Sequence, residues 1–243
     1  MRSKKGTKMK LCLISLLAPL TLLVVALCLR STPAFADDTK VASTAATTTP
    51  DVATAGETTG PDDKTMQRLL AITVKLPKGA QYVPEEKRKA AIRAAWAAVN
   101  KEGPIAWSGT TSAPADANER QYKTTALLVI YSFFESAWKT DAQGDCTEKM
   151  PDGSIRKAPC RSFGVMQVNG KFISVATIDK VLKDPILGYR AGLVIIHDSI
   201  KKCPGKSGQI DIKLAMGRYE TGLFCGGAMH DVEYRLAFLD FTP

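Results

Sequence analysis

The stretch that decides the fold is residues 126–134, which read ALLVIYSFF and are followed directly by Glu135. This run lies in the centre of a predicted helix over 119–139 and is apolar on every side of it. A helix without a polar face has to be buried all round, so the run predicts the central helix of a helical globule. Glu135 then stands at the end of a buried rod, where lost hydration favours the protonated form of a carboxyl group.

Amphipathic patterns and helix-ending residues predict six further helices around this one. We expect them at about 65–75, 84–100, 174–183, 186–202, 209–219 and 229–239. The sequence shows no repeat and no strong hairpin signal, although the loop 143–161 has room for a short β-ribbon. The fold class is therefore predicted to be mainly α.

The first 63 residues differ in composition from the rest of the chain. Residues 1–10 hold five bases and no acid, residues 11–29 are apolar, and Ala34 and Ala36 fit the small residues of a cleavage site. Residues 1–36 are thus predicted to be an export signal, with a retained membrane anchor as the alternative. Residues 37–63, rich in Thr and Ala, predict a disordered acidic linker. The working domain, 64–243, is expected to be periplasmic or secreted.

The composition of residues 64–243 narrows the classes of partner. Their 26 bases and 18 acids give a net charge of +8, which favours anionic partners such as cell-wall polymer or phospholipid. Nucleic acid is not expected, because the domain lacks a basic run with interleaved aromatic residues. The sequence also lacks a phosphate loop, a dinucleotide fingerprint and the Gly-x-Ser-x-Gly and His-Glu-x-x-His motifs.

Four cysteines lie beyond the predicted signal: Cys146, Cys160, Cys203 and Cys225. An even number in an oxidising compartment favours two disulfides, for which three connectivities are open. We favour the local pairs 146–160 and 203–225, because each would staple one loop between helices. Zinc is disfavoured, since no two cysteines are close in sequence and the chain has only two histidines. We expect neither a metal nor a cofactor.

Three segments in order resemble the motifs of the soluble lytic transglycosylase family and its goose-type lysozyme relatives. They read FFESAW at 133–138, SFGVMQVN at 162–169 and AMGRYETG at 215–222. Those families show a Glu-Ser at the end of a buried helix, a Gly-Leu-Met-Gln-like loop and an Ala-Tyr-Asn-Ala-Gly-like segment. The resemblance covers about residues 120–240 and implies a lysozyme-like helical domain.

The resemblance also implies a reaction and a site. Glu135 would be the catalytic acid that cleaves the bond between N-acetylmuramic acid and N-acetylglucosamine in peptidoglycan glycan strands. The substrate's own acetamido group would assist, and a 1,6-anhydro-muramoyl product would form. The implied substrate-binding residues are Ser136, Gly164, Val165, Met166, Gln167, Tyr219 and Glu220, with Tyr219 close to the catalytic Glu and Gln167 facing an acetamido group.

Two positions depart from the family pattern. Glu220 stands where the family has Asn, and Arg218 stands where it has Ala. Glu220 could be a second carboxylate, a partner of Arg218 or a solvent-exposed side chain, and we favour the last two.

A lysozyme that hydrolyses the same bond is the alternative reaction. It needs a base that holds water, for which Asp145, Asp152 and Glu220 are candidates. A non-catalytic wall-binding module is the alternative outside enzymes. We expect a monomer, and the sequence leaves open whether envelope or secretion machinery is a partner.

Overall fold

The computed structural model describes residues 60–77, 79–107 and 116–239. The predicted export signal and all of the predicted linker except its last four residues lie outside the described residues. Helix α1 begins at Asp63, and its first turn is capped by the Asp62 carboxylate, which accepts a hydrogen bond from the Thr65 amide.

The described residues form seven α-helices, so the mainly α fold is confirmed. The helices are α1 (Asp63–Lys75), α2 (Glu85–Glu102), α3 (Ala117–Ser136), α4 (Val175–Val181), α5 (Pro185–Lys202), α6 (Ile212–Thr221) and α7 (Met229–Leu236). Helix α2 packs against α3 and α5, while α6 packs against both α5 and α7. The hydrophobic core that these contacts enclose is continuous from α1 to α7.

Helix α3 is buried along most of its length, as the all-round apolar run predicts. Every residue from Thr124 to Ser132 is inaccessible to solvent. The helix ends at Ser136, three residues earlier than predicted, because Ala137 and Trp138 adopt left-handed backbone conformations with φ of 51° and 60°. The Trp138 indole N–H donates a hydrogen bond to the Val129 carbonyl at 2.9 Å, which fixes the chain reversal against the core.

Helix α6 begins and ends two to three residues later than predicted. The Asp211 carboxylate accepts hydrogen bonds from the amides of Lys213 and Leu214, which sets the first turn. At the other end Gly222 is left-handed, with φ 70°, and its amide bonds the Arg218 carbonyl. This frame keeps Tyr219 and Glu220 inside the last turn of the helix.

The segment between α3 and α4 carries the few strands of the fold. Strands β1 (Gln143–Gly144), β4 (Ser162–Phe163) and β5 (Val168–Asn169) form an antiparallel sheet in the order β1-β4-β5. Strands β2 (Thr147–Lys149) and β3 (Ile155–Lys157) form an exposed antiparallel ribbon. The predicted ribbon in the loop 143–161 is therefore confirmed.

Two disulfides close loops between these elements. Cys146 bonds Cys160 at the base of the ribbon, and Cys203 at the end of α5 bonds Cys225 ahead of α7. These are the two favoured pairs. Disulfides are typical of an oxidising compartment, which is compatible with the expected export. Within the described ranges, no helix is both long enough and apolar enough to cross a bilayer.

Candidate active site

A polar groove of about 330 Å³ opens at the ends of α3 and α6. It collects side chains from α3, the 145–172 segment, α5, α6 and α7. Its lining consists of Glu135, Asp145, Ser162, Met166, Gln167, Val168, Asn169, Lys171, Phe172, Ile195, Tyr219, Glu220, Thr221, Gly222 and Arg235. All three segments that resemble the transglycosylase motifs contribute to it.

Glu135 reaches this groove from the last turn of α3. Its side chain is 22% exposed, so it is neither sealed in the core nor free in solvent. The turn is fixed because the Ala137 amide donates to the Phe133 carbonyl at 2.8 Å. The sequence prediction that Glu135 stands at the tip of a buried rod, next to a groove, agrees with this geometry.

Two carboxylates meet one guanidinium in the groove, and we name Glu135, Glu220 and Arg235 the Glu–Arg–Glu cluster. Arg235 Nη1 lies 2.5 Å from Glu135 Oε1 and 3.5 Å from Glu220 Oε1. The Glu220 side chain is 9% exposed and that of Arg235 is 17% exposed. The guanidinium also lies 5.2 Å from the ring centres of Tyr131 and Phe134, so an aromatic wall holds it in place.

The charge state of Glu220 is set by this environment. Burial raises its pKa from 4.5 to about 7, and the negative charge of Glu135 acts in the same direction, while Arg235 opposes both. Glu220 Oε1 is buried without a hydrogen bond of normal geometry to any described residue. A carboxyl group in this position is close to half protonated at neutral pH.

The loop from 162 to 169 is held in place by hydrogen bonds to its own backbone and to the Ala142 carbonyl. Gly164 and Gln167 are left-handed, with φ of 75° and 47°. The Gln167 side-chain amide donates to the carbonyls of Ala142 and Gly164, at 3.1 and 2.9 Å. Both of its N–H donors are therefore used inside the protein, so Gln167 can offer a sugar only its carbonyl oxygen, which corrects part of its expected role.

Tyr219 connects α6 to this loop. Its hydroxyl donates to the Met166 carbonyl at 2.6 Å, and its ring packs edge-on against Tyr131, with 6.1 Å between ring centres. Burial, followed by the charge of Glu135, raises the pKa of Tyr219 well above 10. Tyr219 thus stays neutral and lies near Glu135, as the resemblance implies, but its hydrogen bond goes to the loop.

Three of the predicted substrate-binding residues do not line the groove. The Ser136 hydroxyl bonds the Ser132 and Val165 carbonyls, which fastens the loop to the end of α3. Val165 is 1% exposed and borders a separate, largely apolar cavity with Trp138 and Tyr189. Gly164 lies against Val181, where a Cβ atom would collide. Their contacts hold the loop against the end of α3 and the core, and none of the three contributes to the lining of the groove.

The partner of Glu220 is also different from the expected one. Arg218 points away, because its guanidinium donates to the Leu223 carbonyl at 3.0 Å and lies 3.9 Å from Asp198. Two residues along a helix place side chains on different faces, so Arg218 and Glu220 cannot both face the groove. Glu220 is therefore neither paired with Arg218 nor exposed to solvent.

The two other candidate bases differ in position. Asp145 lines the groove, and its carboxylate accepts a short hydrogen bond from Ser162 Oγ. Asp152 lies on the exposed ribbon, where it binds the amide and hydroxyl of Ser154. Asp152 does not contribute to the lining of the groove, which corrects the idea that it could serve as a base there.

Sequence reasoning did not find Arg235, Lys171 or Phe172 as groove residues. Arg235 belongs to a short helix without a motif, and its contact with Glu135 spans 100 positions of sequence. No local pattern reports such a contact. Among the described residues, no group of His, Cys, Asp and Glu side chains is arranged to hold a metal ion. No protein-family model, curated protein sequence or solved structure matches the chain.

Proposed function

We propose that this chain is a peptidoglycan lytic transglycosylase with a lysozyme-like fold, in which Glu135 is the catalytic acid. The observation that carries the proposal is the groove itself. It brings Glu135, the Met166–Gln167 loop and the Tyr219–Glu220 turn together from three distant parts of the sequence. Those are the segments that resemble the family's motifs, and their meeting around one carboxyl group is what a glycan-cleaving site requires.

The chemistry needs a proton donor beside the scissile bond. Cleavage proceeds as Glu135 passes a proton to the leaving glycosidic oxygen while the bond from the anomeric carbon breaks. The acetamido oxygen of the muramic acid residue stabilises the positive charge at the anomeric carbon. The Glu135 carboxylate then takes the proton of the C6 hydroxyl, whose oxygen closes the anhydro ring. Proton donor and acceptor are the same group, so the enzyme ends the cycle unchanged.

The polarity of the groove supports a sugar substrate. Side chains of Asp145, Asn169 and Lys171 offer donors and acceptors to hydroxyl and acetamido groups. Phe172, which is 45% exposed, supplies an apolar surface at the same edge for a sugar face. The net charge of +8 over residues 64–243 favours association with an anionic wall polymer.

Hydrolysis of the same bond is a second candidate, because Asp145 also lines the groove. A carboxylate on the far side of the sugar from the acid can activate water, as in the inverting scheme. The Ser162 hydroxyl donates a hydrogen bond to Asp145, which would fix the direction of that carboxylate. Mass spectrometry separates the reactions, since transglycosylase products lack one water and hydrolysis products retain it.

The test is digestion of purified sacculi by the wild-type protein, Glu135→Gln and the control Glu233→Gln. Glu233 lies on the same α7 helix as Arg235, but its side chain is 57% exposed and pairs with Lys213 at the surface. We expect the wild type and the control to release muropeptides that lack one water. Glu135→Gln should fold normally and lose roughly 100- to 10,000-fold in rate.

Undiminished release by Glu135→Gln would refute the catalytic assignment. Sacculus binding by the wild type without any release would instead identify a non-catalytic wall-binding module. Release of products that retain the water, lost on Asp145→Asn, would identify the hydrolase.

A further inference from the structure

Glu220 and Arg235 form an arrangement that the general-acid mechanism alone does not need. One guanidinium nitrogen, Arg235 Nη1, lies within ion-pair distance of both carboxylates, 2.5 Å from Glu135 and 3.5 Å from Glu220. The tighter pair is with Glu135, which is the residue that has to carry a proton for catalysis. An ion pair favours the charged form of a carboxylate, so the resting arrangement opposes the acid role of Glu135.

The charge count of the cluster resolves this conflict. The three side chains of the cluster are mostly buried, and Arg235 carries one positive charge. The cluster is therefore neutral when one of the two carboxyl groups is ionised and the other is protonated. A second negative charge in the same space is unfavourable, because desolvation and repulsion act together. Below about pH 7 the cluster should therefore hold one proton, and two arrangements of that proton are available, one on Glu220 and one on Glu135.

The surroundings favour this single-proton state. The titratable and charged groups that face Glu220 are Tyr131 and Glu135 from α3, Tyr219 from α6, and Asp231 and Arg235 from α7. Asp145 and Lys171 line the same groove from the 145–172 segment. Both tyrosines remain neutral, because burial and then the nearby carboxylates raise their pKa values. Among the described residues that face Glu220, Arg235 is thus the one cation.

We propose that Glu135 and Glu220 share one proton across Arg235, and that Glu220 is the positioning residue that allows Glu135 to hold it. In the resting state Glu220 carries the proton and Arg235 pairs with Glu135. When the proton is on Glu135, Glu220 is the carboxylate and Arg235 pairs with it instead. Cleavage consumes the Glu135 proton, and closure of the anhydro ring restores it. The two carboxyl groups therefore hold one proton again at the end of the cycle. This inference rests on the proposed function.

The arrangement of hydrogen-bonding atoms supports such an exchange. Glu220 Oε1 and the Tyr131 hydroxyl are both buried, and neither makes a hydrogen bond of normal geometry within the described part of the chain. The Tyr131 hydroxyl is an alternative partner of Glu220, but it affects the pKa of Glu220 less than Arg235 does, which lies 3.5 Å from Oε1. A shift of the guanidinium toward Glu220 would complete an ion pair that the resting state leaves long.

The test compares pH–rate profiles of the wild type, Glu220→Gln and Glu220→Asp on sacculi. The wild-type rate should fall on the alkaline side near pH 7, where the cluster loses its proton. Glu220→Gln cannot balance Arg235 when Glu135 is protonated, so its alkaline limb should move at least one pH unit lower. The rate at pH 7 should then fall at least tenfold, with recovery at acidic pH. Glu220→Asp should restore the wild-type limb.

A second variant should shift the alkaline limb of the pH–rate profile in the opposite direction, to higher pH. Arg235→Gln removes the cation, so the two carboxylates should retain their shared proton to higher pH. If Arg235→Gln does not fold, the two Glu220 variants still decide the question. A role of Glu220 in packing alone would lower the rate equally at every pH, and an unmoved limb in Glu220→Gln would overturn the proposal.

A readout without substrate separates this inference from the proposed function. In protein labelled with ¹³C at glutamate carboxyl groups, the NMR signal of Glu220 should titrate near pH 7, and a shared proton would make the Glu135 signal report the same step. That step should disappear from the Glu135 signal in Glu220→Gln. Independent titration of the two signals would refute proton sharing even in an active enzyme. Coupled titration in a protein that releases no muropeptides would instead retain the cluster and reject the proposed reaction.

Discussion

The buried carboxyl group of Glu220 makes a quantitative prediction about stability and pH. Its pKa is raised from 4.5 to about 7 in the folded protein, chiefly because it is buried. Between these two values the folded state binds more protons than the unfolded state, so the free energy of unfolding falls as pH rises through this window. Each pH unit between the two values corresponds to about 1.4 kcal/mol, so the contribution of Glu220 to the free energy of unfolding should fall by roughly 3 kcal/mol in total.

The perturbation that isolates this contribution is Glu220→Gln, which keeps the shape and removes the ionisation. Urea denaturation of both proteins should be measured from pH 4 to pH 9. We expect the free energy of unfolding of the variant, relative to the wild type, to increase with pH and to level off above about pH 7. A difference between the two proteins that is constant across the range would show that Glu220 does not titrate in this environment, and would refute the reasoning.

Three further predictions concern the framework of the site. Gly217→Ala should lower the melting temperature, since a Cβ atom there would lie 2.5 Å from the Gly227 carbonyl oxygen. The overpacking cost of about 1–3 kcal/mol exceeds the gain in helix propensity. Gly192→Ala should lower the melting temperature less, because its Cβ atom would meet the Met166 side chain and not backbone. Thr124→Val should cost about 1–3 kcal/mol in chemical denaturation, because the Thr124 hydroxyl accepts bonds from the Ile105 amide and the Trp107 indole in the core. Replacing Cys203 and Cys225 together by Ala should cost about 3 kcal/mol, and equal stability with and without this bond would contradict its role as a loop closure.

Several features follow from local sequence signals. The burial of α3 follows from its apolar residues on every side, and the position of Glu135 follows from where that run stops. The two disulfides follow from cysteine spacing, because the members of the two pairs lie only 14 and 22 positions apart. These signals need only neighbouring residues, which is why they can be read before the tertiary structure is known.

The interior of the site depends on contacts that no local signal reports. Arg235 meets Glu135 only because α7 packs beside the end of α3. The directions of Ser136, Gly164 and Val165 depend on left-handed residues such as Gln167, which a motif match does not reveal. The prediction that Glu220 pairs with Arg218 or faces solvent is wrong for the same reason, since its partner Arg235 comes from α7 and not from its own helix.

The central claim is that Glu135 donates a proton to the leaving oxygen, and leaving-group dependence tests it most directly. The single-turnover rates of leaving-group release by the wild type and Glu135→Gln should be compared, because the later role of Glu135 as a base does not enter that step. Two substrates are needed: a peptidoglycan fragment with its natural sugar linkage, and the same fragment bearing a dinitrophenyl leaving group that departs without protonation. We predict a loss of roughly 100- to 10,000-fold on the natural linkage and a much smaller loss on the activated one. An equal loss on both substrates would contradict the acid role of Glu135.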